Sequence, residues 1–335
     1  MSNNKLNIAL FVGGTSPERE VSKSSGKAIY HAIKSLGYSC KLIDPAYGMN
    51  QPDSEDKFFI KEDFSKINNK NLIETINSNL LNDIDLVFNA LHGKWGEDGA
   101  IQSLLDLKDI PYTGSDTFSS AVAMDKDLSK TLFRLNEVNT ADWVTIGKDF
   151  SLSEVKSKIS IFGFPCVVKP NDQGSTVGLS IVKNETELQS KIELAFEFSN
   201  LVLIEKYIPG REVTVAILEA RALPVLEIVP KSGFYDYESK YTSGKSDYFV
   251  PADVPIDVFE NIQQQALSAF SSLRCKVYGR VDFRLSDENI PYCLEVNTLP
   301  GMTATSLVPK MAAAVGISFE ELIDRIIKAS LNGKK

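Results

Sequence analysis

The first part of the chain alternates short apolar strands with amphipathic helical stretches, and this alternation restricts the fold more than any other feature. The strand-like segments IALFVGG, CKLIDP, DLVFNALHG and IPYTG are separated by helical patterns near residues 22–36 and 72–81. Short apolar strands joined through helices predict a parallel sheet in an α/β layer. We therefore expect an α/β domain over residues 1–115, with residues 48–70 as a polar surface excursion.

The rest of the chain predicts two α+β units. Residues 116–209 begin with the helical pattern SSAVAMDKDLSKTLFRL and continue through apolar strands and a helix near residues 185–198. Residues 210–335 are rich in strands and close with a helix over residues 318–330. The expected fold class is therefore mixed α/β and α+β, in three domains.

Charge and hydropathy exclude several classes of protein. A net charge of -8 and a pI near 5.1 disfavour nucleic acid or an anionic membrane as the main partner, because either would need a basic face. The first apolar strand is too short for a signal-peptide core, and no apolar run approaches the ~20 residues of a spanning helix. We expect a cytoplasmic protein whose partners are small molecules, with reduced, structural cysteines at positions 40, 166, 275 and 293.

The segments GRVDFRLS and PYCLEVNT flank the turn formers DEN and predict an antiparallel hairpin. A register symmetric about that turn places Asp282 opposite Glu295 and Arg280 opposite Asn297. Two opposed carboxylates repel unless a cation lies between them or one of them is protonated. An oxygen cluster that includes Asn297 suits Mg²⁺. A solvated polar face on an edge hairpin is the alternative. Strand alternation assigns four residues to the other, apolar face: Val281, Phe283, Leu294 and Val296.

A second candidate is Lys169, which ends an apolar strand and precedes the glycine- and serine-containing loop NDQGSTVG. Backbone N–H groups in such a loop can close over an anion while the lysine supplies a positive charge. This pattern predicts a phosphate lid, although a plain surface turn is also compatible with it. The loop is not a P-loop, because G-x-x-x-x-G-K-[ST] does not occur in the chain.

Four further segments carry weaker indications, and each also has a purely structural explanation. In LVLIEKYIPGRE, the backbone from Glu205 to Ile208 suits an adenine edge and Glu212 suits ribose hydroxyls. Glu18 follows the first strand in GGTSPEREVS, and His92 follows another strand in ALHGKWGEDGA. The long loop FYDYESKYTSGKSDYFVPA offers Lys240 and Tyr241 to a substrate.

The order and content of these segments resemble the ATP-grasp superfamily and, within it, the D-alanine–D-alanine ligases. The resemblance covers essentially the whole chain, and LEVNTLPGMTATSLVP is its most specific block. It implies a three-domain ATP-grasp fold with an N-terminal Rossmann-like sheet. It also implies ATP-dependent joining of two D-alanines through an acyl phosphate for peptidoglycan synthesis, by a homodimer.

The resemblance also implies roles for individual residues. ATP would be bound by Lys126, Lys169, Glu205, Lys206, Tyr207, Ile208 and Glu212. Two Mg²⁺ ions, with Mn²⁺ as a substitute, would be held by Asp282, Glu295 and Asn297. Glu18, Ser175 and Tyr241 would form a triad around the first D-alanine, with His92 beside it. Arg280 and the backbone of Gly301 would stabilise the tetrahedral intermediate, and the second D-alanine would be held by Lys240, Ser306 and Leu307.

Two alternatives stay open at this point. A ligase that makes D-alanyl-D-lactate or D-alanyl-D-serine would use the same scaffold, although Tyr241 within YESKY favours the dipeptide-forming type by resemblance. A regulatory protein that binds nucleotide without turnover would be expected to have lost part of the lysine, arginine and metal-ligand set, which is complete here. A dinucleotide-binding dehydrogenase is disfavoured because the glycine fingerprint is absent.

Overall fold

The computed structural model describes residues 5–231 and 244–332 of the 335-residue chain. Its first sheet contains β1 (Asn7–Phe11), β2 (Ser39–Ile43) and β3 (Leu86–Asn89) in the order β2-β1-β3, with all pairs parallel. Tyr112 extends it through a parallel bridge to Val87. The predicted parallel sheet is therefore confirmed.

Helices cover both faces of this sheet, which explains why its strands are apolar at consecutive positions. Ile8 and Leu10 face α1 (Arg19–Ser35), while Ala9 and Phe11 point to the opposite face. That opposite face is covered by α2 (Lys70–Asn77) and α3 (Ala100–Asp106). The final helix of the chain, α10 (Phe319–Asn332), returns to pack beside α1, so the C-terminal segment also supports the first sheet.

The second sheet is antiparallel and four-stranded, in the order β4-β7-β5-β6. Its strands are β4 (Trp143–Gly147), β5 (Cys166–Pro170), β6 (Ser180–Val182) and β7 (Leu201–Lys206). Two amphipathic helices, α6 (Leu152–Ile159) and α7 (Glu185–Phe196), pack on it around a core that includes Val168, Ile192 and Ile204. The opposite side of this sheet contributes Val167, Lys169 and Glu205 to a cavity.

The third sheet joins five strands in the order β11-β10-β8-β12-β13, and β9 pairs with β8. Its strands are β8 (Arg211–Leu218), β9 (Arg221–Ala222), β10 (Leu226–Pro230), β11 (Ser246–Phe249), β12 (Tyr278–Leu285) and β13 (Pro291–Asn297). Helix α8 (Ile256–Ser272) packs on one face, and α9 (Leu307–Ala313) lies against β8 on the other. Within the described residues no helix is both long and apolar enough to cross a membrane.

The helical pattern predicted over SSAVAMDKDLSKTLFRL is two helices, α4 (Thr117–Met124) and α5 (Lys126–Leu135). The break falls at Asp125, whose backbone has ψ 103° and whose carboxylate accepts the Leu128 N–H as the N-cap of α5. An aspartate that bonds the N–H three residues on favours a new helix start over continuation. As a consequence, Lys126 occupies the first turn of α5 and reaches the cavity that the second and third sheets line.

The hairpin register predicted from the sequence is confirmed for the pairs that involve Arg280 and Asp282. Arg280 pairs with Asn297 and Asp282 with Glu295. A register shift follows Asp282, so Phe283 pairs with Cys293.

The assignment of Leu294 to the apolar face is therefore wrong. The extra residue of the bulge turns Leu294 toward the cavity, and Cys293 takes its place in the core beside Val281, Phe283 and Val296. A bulge reverses the alternation of side chains, which period-two counting cannot anticipate.

A buried ionic cluster fixes the loop that follows β1. The Arg19 guanidinium lies 2.7 Å from Asp44 and 2.7 Å from Asp63, and it donates to the hydroxyl of Tyr47. Asp44 also accepts the N–H of Gly14, which adopts a positive φ of 76°. Because Asp63 belongs to the polar excursion of residues 48–70, that excursion is attached to the first sheet through this cluster.

Replacing Asp44 with Asn should destabilise the protein by about 3–5 kcal/mol. The amide oxygen can still accept the N–H groups of Gly14 and Ala46, but the Arg19 charge loses its most buried partner. Urea unfolding measures the change, and Asp53→Asn in the exposed pair with Lys57 is the control that should behave as wild type. Equal stability of the Asp44 variant and wild type would show that the ion pair makes no net contribution.

Candidate active site

Two cavities meet at the centre of the molecule. One, of about 430 Å³, lies between the second and third sheets. The other, of about 380 Å³, lies between the loops of the first sheet and the third sheet. Gly174, Ser175 and Glu295 line both cavities, so a group bound in one can react with a group bound in the other only near these residues.

Every described residue that the sequence selected lines one of these cavities. The larger cavity is lined by Lys126, Lys169, Glu205, Lys206, Tyr207, Ile208, Glu212, Asp282 and Glu295. The smaller is lined by Glu18, His92, Ser175, Arg280, Glu295, Asn297, Gly301, Ser306 and Leu307. Lys240 and Tyr241 lie outside the described residues.

The glycine- and serine-containing loop of residues 171–178 extends over the junction. Ser175 and Thr176 have positive φ angles of 51° and 65°, so its backbone follows a tight, unusual path. The Ser175 hydroxyl donates to the carboxylate of Glu18, which begins the helix after β1. At its other end, the Lys126 ammonium donates to the carbonyl of Gln173 at 2.7 Å. The loop therefore contacts the start of α1 and Lys126 at the same time.

The carboxylates of the hairpin are both charge-compensated. Arg280 donates two hydrogen bonds, of 2.8 and 2.7 Å, to the two oxygens of Asp282. Thr214 adds a third hydrogen bond to Asp282, at 2.6 Å. Glu295 lies 3.2 Å from the ammonium of Lys126. The repulsion expected between opposed carboxylates is thus relieved by one cation on each side.

The donor set at the junction suits a hard divalent cation that also binds phosphate. Asp282 and Glu295 are partners across the hairpin, and Asn297 is next on the same face of β13. Among the described residues no three His, Cys, Asp or Glu side chains are grouped to hold a metal. Carboxylate and amide oxygens are ligands that Mg²⁺ accepts, with the remaining positions left to water and phosphate oxygens.

Burial perturbs two titratable groups of the smaller cavity. It lowers the pKa of His92, whose Nε2 lies 3.3 Å from the Ser25 hydroxyl. It raises the pKa of Glu97 to about 8, an effect to which the nearby charge of Glu18 adds. Glu97 also accepts the N–H of Gly93 at 3.1 Å. Both side chains are therefore held in the uncharged form near neutral pH.

Glu97 lies in the same glycine-rich loop as His92, and nothing in the local sequence distinguishes it from an exposed acid. Lys130 has no local signal either. It occurs in the amphipathic pattern of α5, where a lysine normally faces water, yet it is fully buried. The burial of both side chains arises when segments distant in sequence pack together, so it cannot be predicted from the local sequence.

The strand that the resemblance assigns to adenine already uses some of its backbone groups in hydrogen bonds within the protein. The N–H groups of Lys206 and Tyr207 donate to the carbonyls of Asp142 and Pro165. The Arg284 side chain donates to the carbonyl of Ile208 and lies 3.6 Å from Glu212. An adenine edge bound along this strand would therefore have to use other backbone groups, such as the Lys206 carbonyl and the Ile208 N–H.

Gly301 and Ser306 are close neighbours at the far side of the smaller cavity. A methyl group added to Gly301 would lie 3.0 Å from the Ser306 hydroxyl oxygen, which accepts the N–H of Thr303 at 2.9 Å. A small residue at position 301 therefore leaves room beside a hydroxyl that is already fixed in place.

Comparisons with known proteins agree over nearly the full chain. Family models described as D-ala D-ala ligase N-terminus and C-terminus match residues 7–115 and 132–328. A D-alanine–D-alanine ligase of Desulforamulus reducens is 43% identical over 335 residues, covering 97% of this chain and 99% of that protein.

Solved structures give the same result. The structure of the D-alanine–D-alanine ligase from Bacillus anthracis complexed with ATP has a TM-score of 0.79 at 37% identity, covering 98% of both chains. The VanG D-Ala:D-Ser ligase from Enterococcus faecalis has a TM-score of 0.81 at 30% identity, covering 98% of this chain and 100% of that one. The family resemblance and the ATP-grasp fold class expected from the sequence are therefore confirmed.

The raised pKa of Glu97 predicts a pH-dependent stability. Between the ordinary glutamate pKa and about 8, the folded protein keeps a proton that the unfolded chain has lost. The free energy of unfolding should therefore fall as pH rises through this window, by at most about 1.4 kcal/mol per pH unit. Glu97→Gln keeps the acceptor for Gly93 and should remove this dependence.

Urea unfolding from about pH 5.5 to about pH 8.5 tests this expectation. The Glu97→Gln variant should gain stability relative to wild type as pH rises, while Glu288→Gln, on the exposed hairpin turn, should follow wild type. Parallel pH profiles for wild type and the Glu97 variant would mean that this carboxyl is ionised in the folded protein.

Proposed function

Because the chain belongs to the D-alanine–D-alanine ligase family, we propose that it joins two D-alanines to D-alanyl-D-alanine, with conversion of ATP to ADP and phosphate. The observation that carries this proposal is the meeting of two cavities at Ser175 and Glu295. One cavity is lined by lysines and by the strand from Glu205 to Ile208, and the other is lined largely by polar side chains that suit an amino acid. The product is a precursor of peptidoglycan.

The larger cavity would hold ATP. The ammonium groups of Lys126 and Lys169 lie where they can contact phosphate oxygens, and both lysines are largely buried, which strengthens such contacts. The strand from Glu205 to Ile208 would hold the adenine edge through its backbone, and Glu212 would accept hydrogen bonds from ribose. In this orientation the γ-phosphate would lie at the junction, beneath the loop of residues 171–178.

The metal ions would be bound by Asp282, Glu295 and Asn297, as two Mg²⁺ with Mn²⁺ as a possible substitute. When bound, they would neutralise charge on the transferring phosphoryl group. The carboxylate and amide oxygens of the hairpin are the protein's contribution to that site.

In the smaller cavity, Glu18 would receive the ammonium group of the first D-alanine, with His92 beside the substrate. The hydrogen bond from Ser175 to Glu18 would couple substrate binding to closure of the lid. Tyr241 would complete this triad. The uncharged state of His92, which burial favours, avoids placing a second cation beside the substrate ammonium.

The first chemical step would be attack of the D-alanine carboxylate oxygen on the γ-phosphorus of ATP. A bond forms between these atoms, the bond to the bridging oxygen breaks, and ADP leaves with the electron pair. The product is D-alanyl phosphate, a carboxylate activated as an acyl donor. Closure of the lid would keep water from hydrolysing it.

The second step would be attack of the neutral amine of the second D-alanine on the acyl carbon. The tetrahedral oxyanion would be stabilised by the Arg280 guanidinium and the backbone N–H of Gly301. Its collapse expels inorganic phosphate, which takes up the proton that the amine gives up as the peptide bond forms. Ser306, Leu307 and Lys240 would hold the second D-alanine by its carboxylate.

Three further features are part of the proposal. The chain would work in the cytoplasm, where its substrates occur, and as a homodimer. Its three domains would span residues 1–115, 116–209 and 210–335. The packing of α10 beside α1 ties the last domain to the first.

The test is phosphate release by the purified protein with ATP and Mg²⁺, with products identified by mass spectrometry. D-Alanine alone should give D-alanyl-D-alanine, and L-alanine should give no product. D-Alanine mixed with D-lactate or D-serine should still give mainly D-alanyl-D-alanine. A dominant mixed product would assign the ester- or serine-forming activity, and ATP binding without turnover would assign a regulatory protein.

Glu295→Gln should lower kcat by at least about a hundredfold, because it removes a charged metal ligand while keeping the shape of the side chain. The matched control is Glu288→Gln in the turn of the same hairpin, which should keep wild-type kcat. Circular dichroism and urea unfolding check that both variants are folded. Wild-type turnover in Glu295→Gln would exclude Glu295 from the metal site.

A further inference from the structure

Lys130 on α5 is a buried cation for which the proposed reaction has no use. It is 0% exposed and does not line either cavity. Its ammonium lies 2.9 Å from Oε2 of Glu205 and donates to the hydroxyl of Thr140 at 2.6 Å. The face of Trp143 covers it, with the ring centre 5.2 Å away. A lysine is rarely buried so completely unless its charge is paired.

Glu205 connects this hidden lysine to the nucleotide cavity. Its Oε1 lies 2.6 Å from the Lys169 ammonium, while its Oε2 faces Lys130. Lys169 on β5 and Glu205 on β7 are diagonal neighbours on the same face of the second sheet. The carboxylate is therefore held from two sides, and only one of its two cations reaches the cavity.

The side chain of Glu205 is engaged by the two lysines. It is 3% exposed, and each of its two oxygens faces a lysine ammonium group, so the carboxylate is already paired before a nucleotide binds. Burial by itself would raise the pKa of Glu205, but the ammonium groups of Lys130 and Lys169 lower it to about 2. The carboxylate is thus ionised at every pH at which the protein is expected to work.

Charge arithmetic shows what Lys130 adds. Burial lowers the pKa of Lys130, and the Glu205 carboxylate 2.9 Å away opposes that shift and favours the ammonium form. With Lys130 in that form, the two ammonium groups and one carboxylate carry a net charge of about +1 beside the phosphate end of the cavity. Without it the pair that remains is neutral. One Glu205 oxygen would then lack its partner, and a carboxylate in a dry site would turn both oxygens onto the Lys169 ammonium. Lys169 would be drawn away from the cavity and its charge would be cancelled.

We propose that Lys130 is a positioning residue for ATP, which acts by holding the Glu205 carboxylate so that the Lys169 ammonium stays directed at the nucleotide phosphates. The inference rests on the proposed function, because it takes the larger cavity to be the ATP site. Lys130 itself contacts no substrate. Its effect belongs to nucleotide affinity, and the affinity for D-alanine should not depend on it.

The test compares Lys130→Met with wild type by calorimetric titration of ATP and by steady-state kinetics. The dissociation constant and KM for ATP should rise on the order of tenfold to a hundredfold, the loss expected when a charge-assisted contact fails. KM for D-alanine should stay unchanged. Lys130→Gln, which can still donate hydrogen bonds but has no charge, carries the same expectation if the Met variant does not fold.

The matched control is Lys23→Met. Lys23 is also a buried lysine, with an ammonium 3.1 Å from Glu20 and 2.9 Å from the carbonyl of Ile60, but it lines neither cavity. This control should lose stability without a change in ATP affinity. A loss of stability alone in both variants would show that Lys130 is only structural.

The double variant Lys130→Met/Glu205→Gln gives the sharpest discrimination. Removing the carboxylate restores a net charge of about +1 through Lys169, so ATP affinity should recover part of what Lys130→Met loses. A purely structural role predicts further loss instead. ATP affinity equal to wild type in a folded Lys130→Met protein overturns the inference and leaves the ligase function standing. A wild-type protein that binds ATP but forms no dipeptide overturns the function alone.

Discussion

Compensation of charge at the junction of the two cavities is the constraint on which the rest of the site depends. Asp282 and Glu295 oppose each other across an antiparallel pair, where like charges destabilise a sheet. Arg280 donates a hydrogen bond to each oxygen of Asp282, and Lys126 forms an ion pair with Glu295. In the proposed reaction, Asp282 would hold metal and Arg280 would stabilise the oxyanion, so the contact between these two side chains would join the two parts of the site.

The fold brings these charges together from parts of the chain that are distant in sequence. The helix break at Asp125 carries Lys126 to the cavity, and the second sheet carries Lys169 with Glu205 beside it. The loop after β1, fixed by the Arg19 cluster, presents Glu18 to the lid. The proposed reaction would therefore use groups from all three sheets, and the loop of residues 171–178 contacts both Glu18 and Lys126.

Much of this arrangement follows from the sequence alone. The apolar strands of the first sheet and the register of Asp282 against Glu295 were predictable, since alternation and turn chemistry are local. Leu294 was misplaced because a bulge has no clear local signal, and Lys130 was missed because α5 is amphipathic in isolation. The pairing of Ser175 with Glu18 came only from family resemblance, since no local rule connects residues so far apart.

The most direct test of the proposed phosphoryl transfer traces the oxygen atoms of the D-alanine carboxylate by isotope labelling. D-Alanine labelled with ¹⁸O in its carboxylate is supplied with unlabelled ATP and Mg²⁺, and the released phosphate is analysed by mass spectrometry. Attack of the carboxylate on the γ-phosphorus predicts that one ¹⁸O atom passes into phosphate for each dipeptide formed. Phosphate without label, at the same yield of dipeptide, would contradict an acyl phosphate and with it the reading of the junction as the site of phosphoryl transfer.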